Sequence, residues 1–186
     1  MRLTEVAQTW LAETLEEGDI AVDATLGNGF DALFLAKQVG ETGHVYGFDV
    51  QQDAIHTSQK RLQNMACKHQ CFLAGHETMK QYIPSHHYGK IKAIMFNLGW
   101  LPNSDKKVIT KAKTTLVALK QSLELLASDG RLTVMLYPGH KGGRDEAAQV
   151  KQWFLQQQDI QTRMIEVAGK PHAPKLLQVI KIKNEP

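Results

Sequence analysis

The stretch VDATLGNGFDA, residues 22–32, decides the fold because it joins an apolar run to a helical pattern through a glycine-rich turn. Residues 19–25 (DIAVDAT) are typical of a buried strand, and residues 29–40 (GFDALFLAKQVG) of a helix that ends at Gly40. Gly27 and Gly29 let a ligand approach the main chain without meeting a Cβ atom. In an open α/β sheet, ligands bind beyond the carboxyl end of such a strand. The stretch therefore predicts a strand, a ligand-binding loop and the first turn of a helix.

Strands and helices alternate along the rest of the chain. The chain begins with an amphipathic helix, which has apolar positions from Leu3 to Leu15 and ends before Gly18. Further strands are predicted at residues 43–50, 70–74, 90–98, 131–138, 160–168 and 175–183. Further helices are predicted at residues 51–66, 76–83, 104–130 and 146–158. This alternation predicts an α/β fold with a mostly parallel sheet covered on both faces. The connector GKPHAP, residues 169–174, is too short for a parallel crossover, so the last strand is predicted to be antiparallel.

Length and composition are those of one globular domain over residues 1–186. The net charge of +3 and the eight histidines are compatible with a polyanionic partner. We expect Cys67 and Cys71 to be reduced, as in cytoplasmic proteins. A zinc site that includes His69 and His76 is disfavoured, because Cys71 falls in a predicted strand and the chain has no second CxxC pair. The N-terminus is not a signal peptide, no apolar run reaches membrane-spanning length, and no metal is expected.

The glycine-rich turn leaves two cofactors open. GNGFDA, residues 27–32, matches the G-x-G-x-x-G/A dinucleotide pattern, and Asp49 ends the second predicted strand, where a carboxylate accepts hydrogen bonds from ribose hydroxyls. An NAD site is consistent with both features. Asp23, just before the loop, favours S-adenosylmethionine, because its charge repels a pyrophosphate and attracts the ammonium and sulfonium groups of the methionine moiety.

The fourth predicted strand ends in MFNLGWLP, residues 95–102. This segment resembles the (D/N)-P-P-(F/Y) motif of amino-group methyltransferases, with Asn97 at the polar position and Trp100 at the aromatic position. Leu98 and Gly99 stand where those enzymes have two prolines. A neutral acceptor such as the Asn97 oxygen orients an amine without trapping it as a cation. Trp100 is expected to stack on the target base.

The whole chain resembles a family of small bacterial class I S-adenosylmethionine-dependent methyltransferases that have been labelled rRNA methylases. DATLGNGFDALFLA, GFDVQ, NLGWLP and YPGHKGG are the segments that are similar. The resemblance implies a Rossmann-like fold with a seven-stranded sheet, S-adenosylmethionine as cofactor and an RNA substrate. Family members are linked to methylation of the aminomethyl group of 5-aminomethyl-2-thiouridine at the tRNA wobble position. An rRNA or small-molecule methyltransferase, an NAD-dependent oxidoreductase and a nonenzymatic RNA-binding protein remain alternatives.

These arguments give three sets of candidate site residues. We expect the cofactor to contact Asp23, Thr25, Leu26, Gly27, Asn28, Gly29, Asp31, Asp49, Gln51, His76 and Glu77. The candidate catalytic residues are Asn97 and His140, the latter as a proton acceptor. The substrate is expected to contact Asn97, Trp100, Tyr137, Lys106, Lys107 and Lys111, with Lys113 beside them; the lysines would bind RNA phosphates. The sequence is compatible with a monomer or a homodimer.

Overall fold

The computed structural model describes residues 2–99, 111–139 and 141–182. In these ranges the helices are α1 (Leu3–Ala12), α2 (Phe30–Val39), α3 (Gln52–Leu62), α4 (Met79–Tyr82), α5 (Ala112–Leu125) and α6 (Gly143–Leu155). The strands are β1 (Ile20–Asp23), β2 (His44–Asp49), β3 (Lys68–Leu73), β4 (Ile91–Asn97), β5 (Leu126–Leu136), β6 (Ile160–Ile165) and β7 (Lys175–Lys181). The predicted alternation of strands and helices is confirmed.

The strands form one seven-stranded sheet in the order β3-β2-β1-β4-β5-β7-β6. Strands β1 to β5 pair in parallel, and β7 is antiparallel to both of its neighbours, β5 and β6. The predicted antiparallel last strand is therefore confirmed. Because β2 and β4 lie on opposite sides of β1, the strand order reverses next to β1, which is where ligands bind in open α/β sheets.

Both faces of the sheet are buried, and each face has its own apolar core. Alternate residues of β1 point to opposite faces, so Val22 packs with α5 and α6 while Ala21 packs with α1, α2 and α3. Val22 and Ala21 have no exposed area. The near-continuous apolar runs of the central strands follow from this coverage, since a strand between two layers of helices has no solvent face.

Helices α1, α3 and α6 end before their predicted ends, at Ala12, Leu62 and Leu155, and two further boundaries differ for a local reason. The prediction of helix for residues 126–130 is wrong, because α5 ends at Leu125 and Leu126, the first residue of β5, pairs with Ile91 of β4. Asp129 has a φ of 65°, which breaks a helix, and the pairing resumes only at Arg131. Helix α6 begins at Gly143, three residues before the predicted start, because Gly142 adopts the left-handed conformation (φ 83°) as its N-cap.

The predicted helix over residues 76–83 consists of a 3₁₀ turn, His76–Thr78, followed by the short helix α4. Cys67 and Cys71 are both free thiols. Within the described ranges, no helix has the length and apolar character required to cross a membrane. The same part of the chain has no cluster of histidine, cysteine and acidic side chains arranged to hold a metal ion.

Candidate active site

Three adjacent strands end in polar residues at one edge of the sheet. Asp49 ends β2, Asp23 ends β1 and Asn97 ends β4. These strands are parallel neighbours, so their carboxyl ends meet at this edge. The sequence prediction brought the same three residues together, and the register confirms their proximity. Their chemical roles stay predictions.

The loop between β1 and α2 depends on glycine at two positions. Gly27 has a φ of 49°, and Gly29 has a φ of 74° as the N-cap of α2. A Cβ on Gly29 would lie 2.7 Å from Ser58 Oγ and 2.9 Å from Ser58 Cα. Glycine is therefore required at position 29 for both its backbone conformation and the close approach of α3.

Side chains of helix α3 bind the carbonyl oxygens of the β1–α2 loop. Ser58 Oγ donates to the carbonyl oxygen of Gly27 (3.4 Å), and Arg61 Nε donates to that of Asn28 (2.7 Å). The Arg61 guanidinium also lies 3.8 Å from the centre of the exposed Phe30 ring. These contacts occupy the carbonyl oxygens of Gly27 and Asn28, so they fix the loop against α3.

The Asp49 carboxylate is oriented by the main chain. Its Oδ2 accepts from the Gly27 N–H (2.9 Å), and its Oδ1 accepts from the Gln51 N–H (3.0 Å). An ionised carboxylate has about four acceptor positions, so two remain for a ligand. Leu26 is buried, and its N–H donates to the carbonyl of Phe48 in β2 (3.0 Å). Asp49 thus has the geometry required to accept from two adjacent ribose hydroxyls.

Asp23 is a buried carboxyl group that is only half satisfied. Its Oδ1 accepts from the Thr25 N–H (3.1 Å), whereas Oδ2 has no hydrogen-bond partner among the described residues. Burial raises the pKa of the Asp23 carboxyl well above its ordinary value, and the nearby charges of Asp31 and Asp49 raise that pKa further. Because the side chain has no exposed area, a ligand above the loop would be affected by its charge rather than by direct contact. A cationic group above the loop would stabilise its ionised form.

Asp31 connects Asn97 to the N-terminal helix. Its Oδ2 accepts from Asn97 Nδ2 (2.6 Å), and its Oδ1 accepts from Gln8 Nε2 of α1 (2.7 Å). The Asn97 backbone N–H donates to Thr25 Oγ1 (2.7 Å). Because a carboxylate only accepts, the Asn97 amide must direct its nitrogen to Asp31. Asn97 Oδ1 is then the atom available to a substrate.

Tyr137 follows β5 at the same edge and is half-buried. Burial raises the pKa of its hydroxyl, and the charge of Asp31 raises that pKa further. Tyr137 therefore stays a neutral hydroxyl, able to donate a hydrogen bond near Asp31. Leu98, at the position of the first proline in the similar motif, is buried, and its N–H donates to the carbonyl of Met135 (2.9 Å). A proline at position 98 would lose this bond.

His76 and Glu77 lie on the 3₁₀ turn after β3. His76 is buried with its ring edge-on to Phe96, 5.5 Å between centroids, and burial lowers the pKa of its imidazole. The Glu77 carboxylate lies against Gly75, and the Glu77 carbonyl oxygen accepts from Gln121 of α5. Only a small part of His76 is therefore exposed to a ligand.

Trp100, Lys106, Lys107 and His140 lie outside the described residues, and their roles stay predictions. Lys111 is the N-cap of α5, and its carbonyl oxygen accepts from Thr114 Oγ1 (3.0 Å). Lys113 is exposed in the first turn of the same helix.

Sequence reasoning missed Gln8, Ser58 and Arg61. Gln8 lies on an amphipathic helix 23 residues before its partner, and no local motif marks it. Ser58 and Arg61 lie 31 and 33 residues after the carbonyls that they bind. Their roles depend on how the helices pack, so no sequence signal was available for them.

The comparisons with known proteins agree on one family. Residues 45–181 match the family model described as "Putative rRNA methylase". A curated protein of Arabidopsis thaliana, the chloroplastic tRNA (mnm(5)s(2)U34)-methyltransferase, is 34% identical over 98% of this chain and 70% of its own length.

Solved structures give the same result. A "putative rRNA-methylase" from Clostridium thermocellum is 34% identical, with a TM-score of 0.92 and 98% of each chain covered. A "putative methyltransferase" from Streptococcus mutans, solved in complex with SAH, is 33% identical, with a TM-score of 0.85, covering 98% of this chain and 99% of that one.

These findings decide between the two cofactors that the glycine-rich turn left open. S-adenosylmethionine is the cofactor, and the NAD alternative is set aside. The residues present fit this cofactor, because Asp23 Oδ2 is a buried acceptor that a nearby cation would stabilise and Asp49 has free acceptor positions. The chain is an S-adenosylmethionine-dependent methyltransferase and belongs to the rRNA methylase family.

Proposed function

We propose that the protein methylates the primary amine of 5-aminomethyl-2-thiouridine, or of its 2-oxo form, at the wobble position of tRNA. The relative from Arabidopsis thaliana, named for this kind of product, supports the substrate. The observation on which the proposal depends is the amide of Asn97, whose nitrogen is held by Asp31 at 2.6 Å. Its oxygen is then the amide atom left as a neutral acceptor for an amine N–H.

When bound, the cofactor would supply a methyl group on its sulfonium sulfur; the amine lone pair would form the N–C bond in line as the C–S bond breaks and S-adenosylhomocysteine leaves. Holding the amine in that line accounts for much of the rate of such a displacement. Asn97 Oδ1 accepts one N–H of the neutral amine, which directs the lone pair away from the amide. Asp31 and Gln8 keep the amide from rotating.

The amine must lose a proton before it reacts. An alkylamine resembling lysine has a pKa near 10.4, so forming its neutral state at pH 7 costs at most roughly 4 to 5 kcal/mol. A carboxylate at position 97 would stabilise the unreactive ammonium, whereas the Asn97 amide does so much less. We assign His140 as acceptor of the released proton, Trp100 and Tyr137 to the target base, and Lys106, Lys107 and Lys111 to RNA phosphates.

The two carboxylates contact or attract different parts of the cofactor. Asp49 accepts from the ribose hydroxyls, and such bonds to a charged acceptor contribute about 1.5 to 3 kcal/mol each. Asp23 attracts the cationic methionine end through the loop that separates them. We further propose that residues 1–186 act as one methyltransferase domain in the cytoplasm, as a monomer or homodimer.

Nucleoside mass spectrometry tests the proposal. Purified protein and S-adenosylmethionine are incubated separately with tRNA carrying 5-aminomethyl-2-thiouridine, with rRNA and with a metabolite pool. We expect one methyl group to be gained by the modified uridine of tRNA alone. Methylation of rRNA or of a metabolite instead would overturn the assigned substrate. Asn97→Ala should abolish turnover and leave cofactor affinity unchanged, and turnover equal to wild type would remove Asn97 from the mechanism.

A further inference from the structure

A cleft with a positively charged lining lies beside the candidate active site. It opens between α6 and the connector from β6 to β7, residues 166–174, and its volume is about 520 Å³. Leu136 and Pro138, at the carboxyl end of β5, form its floor. None of its lining residues belongs to the sites assigned above. We call it the α6 cleft.

The charged residues that line the α6 cleft are mostly cations. Arg144 and Lys151 enter it from α6, and Lys175 enters from the start of β7. Lys170 lines the adjoining hollow under the connector. Glu166 is the acidic residue lining both, and it pairs with Lys175 at 3.1 Å. The α6 cleft thus has two net positive charges, and the cleft and the adjoining hollow together have three, with Lys170 included.

The two cations on α6 are exposed and share one helix face. Arg144 and Lys151 are seven residues apart, which places them two turns apart on the same side. Ala147 and Ala148 lie between these two cations in the helix and line the cleft, so their small side chains leave the space between the cations unfilled. Cations concentrated in an open cleft attract a polyanion.

The register of the sheet gives the distance from this cleft to the reacting amine. Asn97 pairs with Met135 of β5, and Met135 pairs with Leu176 of β7. Lys175, next to Leu176, therefore begins about 10 Å from the end of β4, which is two strand spacings. A polynucleotide whose target base lies at Asn97 can therefore reach the α6 cleft by crossing the ends of β5 and β7.

We propose that the α6 cleft binds phosphodiester groups of the RNA substrate next to the target nucleotide, with Arg144 and Lys151 as the main phosphate contacts. This inference rests on the proposed tRNA substrate. Neutralising these contacts weakens RNA binding and leaves the chemistry at Asn97 intact.

The test is a salt titration of tRNA binding by fluorescence anisotropy. The double variant Arg144→Gln, Lys151→Gln is compared with wild type and with the control variant Lys37→Gln. Lys37 is exposed in the last turn of α2, at the end of that helix away from the glycine-rich loop. Removing one cation from a phosphate of a single strand reduces the slope of log K against log salt by about 0.7, so the double variant should have a slope smaller by about 1.4. The same relation raises its Kd about 25-fold at 0.1 M salt. Lys37→Gln should match wild type.

Two further readings separate this inference from the proposed function. The double variant should keep wild-type affinity for S-adenosylmethionine and reach wild-type kcat at saturating tRNA, with only KM raised. An unchanged salt slope and Kd, in a wild-type protein that methylates tRNA, would overturn the cleft assignment alone. A fall in kcat with unchanged KM would also overturn it. A wild-type protein that neither binds nor methylates tRNA would overturn both.

Discussion

Replacing Asp31 by alanine removes the carboxylate that holds the Asn97 amide. Asp31 accepts from Asn97 Nδ2 at 2.6 Å and from Gln8 Nε2 at 2.7 Å, and both bonds are charge-assisted. Without the carboxylate, the Asn97 amide rotates and its oxygen no longer faces the amine in one orientation. We therefore expect the chemical step to slow while the fold persists.

The size of the effect follows from the hydrogen bond that the variant removes. A hydrogen bond to a charged group contributes about 1.5 to 3 kcal/mol. If that free energy is what orients Asn97 in the transition state, kcat falls about 10- to 150-fold, since about 1.4 kcal/mol corresponds to a factor of ten. Asp31→Asn keeps one acceptor oxygen for Asn97, so its decrease in kcat should be smaller.

The assay is single-turnover methylation of tRNA, with the Kd of S-adenosylmethionine measured on the same preparations. Asp53→Ala is the matched control, because Asp53 is an exposed carboxylate in the first turn of the neighbouring helix α3. A wild-type rate in Asp31→Ala would refute the positioning argument. A raised Kd of S-adenosylmethionine at an unchanged rate would instead indicate that Asp31 binds the cofactor, as the sequence pattern predicts.

Three further predictions concern the loop and the buried titratable groups. Because burial raises the pKa of Asp23 and a cation favours its ionised form, the Kd of S-adenosylmethionine should fall as pH rises above the ordinary carboxyl range. Asp23→Asn should flatten this dependence, and an equal slope in both proteins would contradict the prediction. Gly29→Ala should lower the free energy of unfolding in urea by about 1 to 3 kcal/mol more than Gly89→Ala. Both glycines have φ above 70°, but a Cβ on Gly29 meets Ser58, whereas a Cβ on Gly89 meets nothing within 4 Å. Equal decreases in the two variants would show that the contact with Ser58 does not cause the loss. Since the pKa of His76 is lowered in the folded state, the unfolded chain binds a proton more readily, so the stability contributed by neutral His76 is present above about pH 6.5 and is lost as pH falls. His76→Gln should therefore make the midpoint of urea unfolding less sensitive to acid. An unchanged sensitivity would contradict this prediction.

The sequence could predict the edge of the sheet at which the site lies. Asp23, Asp49 and Asn97 each end an apolar run, and parallel strands bring such ends together whatever the helices do. The antiparallel last strand was equally predictable, because chain length alone excludes a crossover in residues 169–174.

Contacts between helices were beyond such reasoning. Gln8 reaches Asp31 only because α1 packs beside α2, and Arg61 reaches the loop only because α3 does. The end of α5 was missed for a local reason. The apolar spacing continues past Leu125, whereas the backbone is already extended at Leu126 (φ −63°, ψ 136°) and has a positive φ at Asp129.

Asp23 and Asp49 are central to the proposed site, where we propose that they hold a cationic sulfur nucleoside beside Asn97. A crystal structure with S-adenosylhomocysteine tests this arrangement most directly. We predict both ribose hydroxyls within hydrogen-bond distance of the Asp49 carboxylate, the amino end of the ligand above the loop that covers Asp23, and the sulfur facing Asn97 Oδ1. A ligand bound away from the carboxyl ends of β1, β2 and β4, or with its ribose away from Asp49, would contradict it.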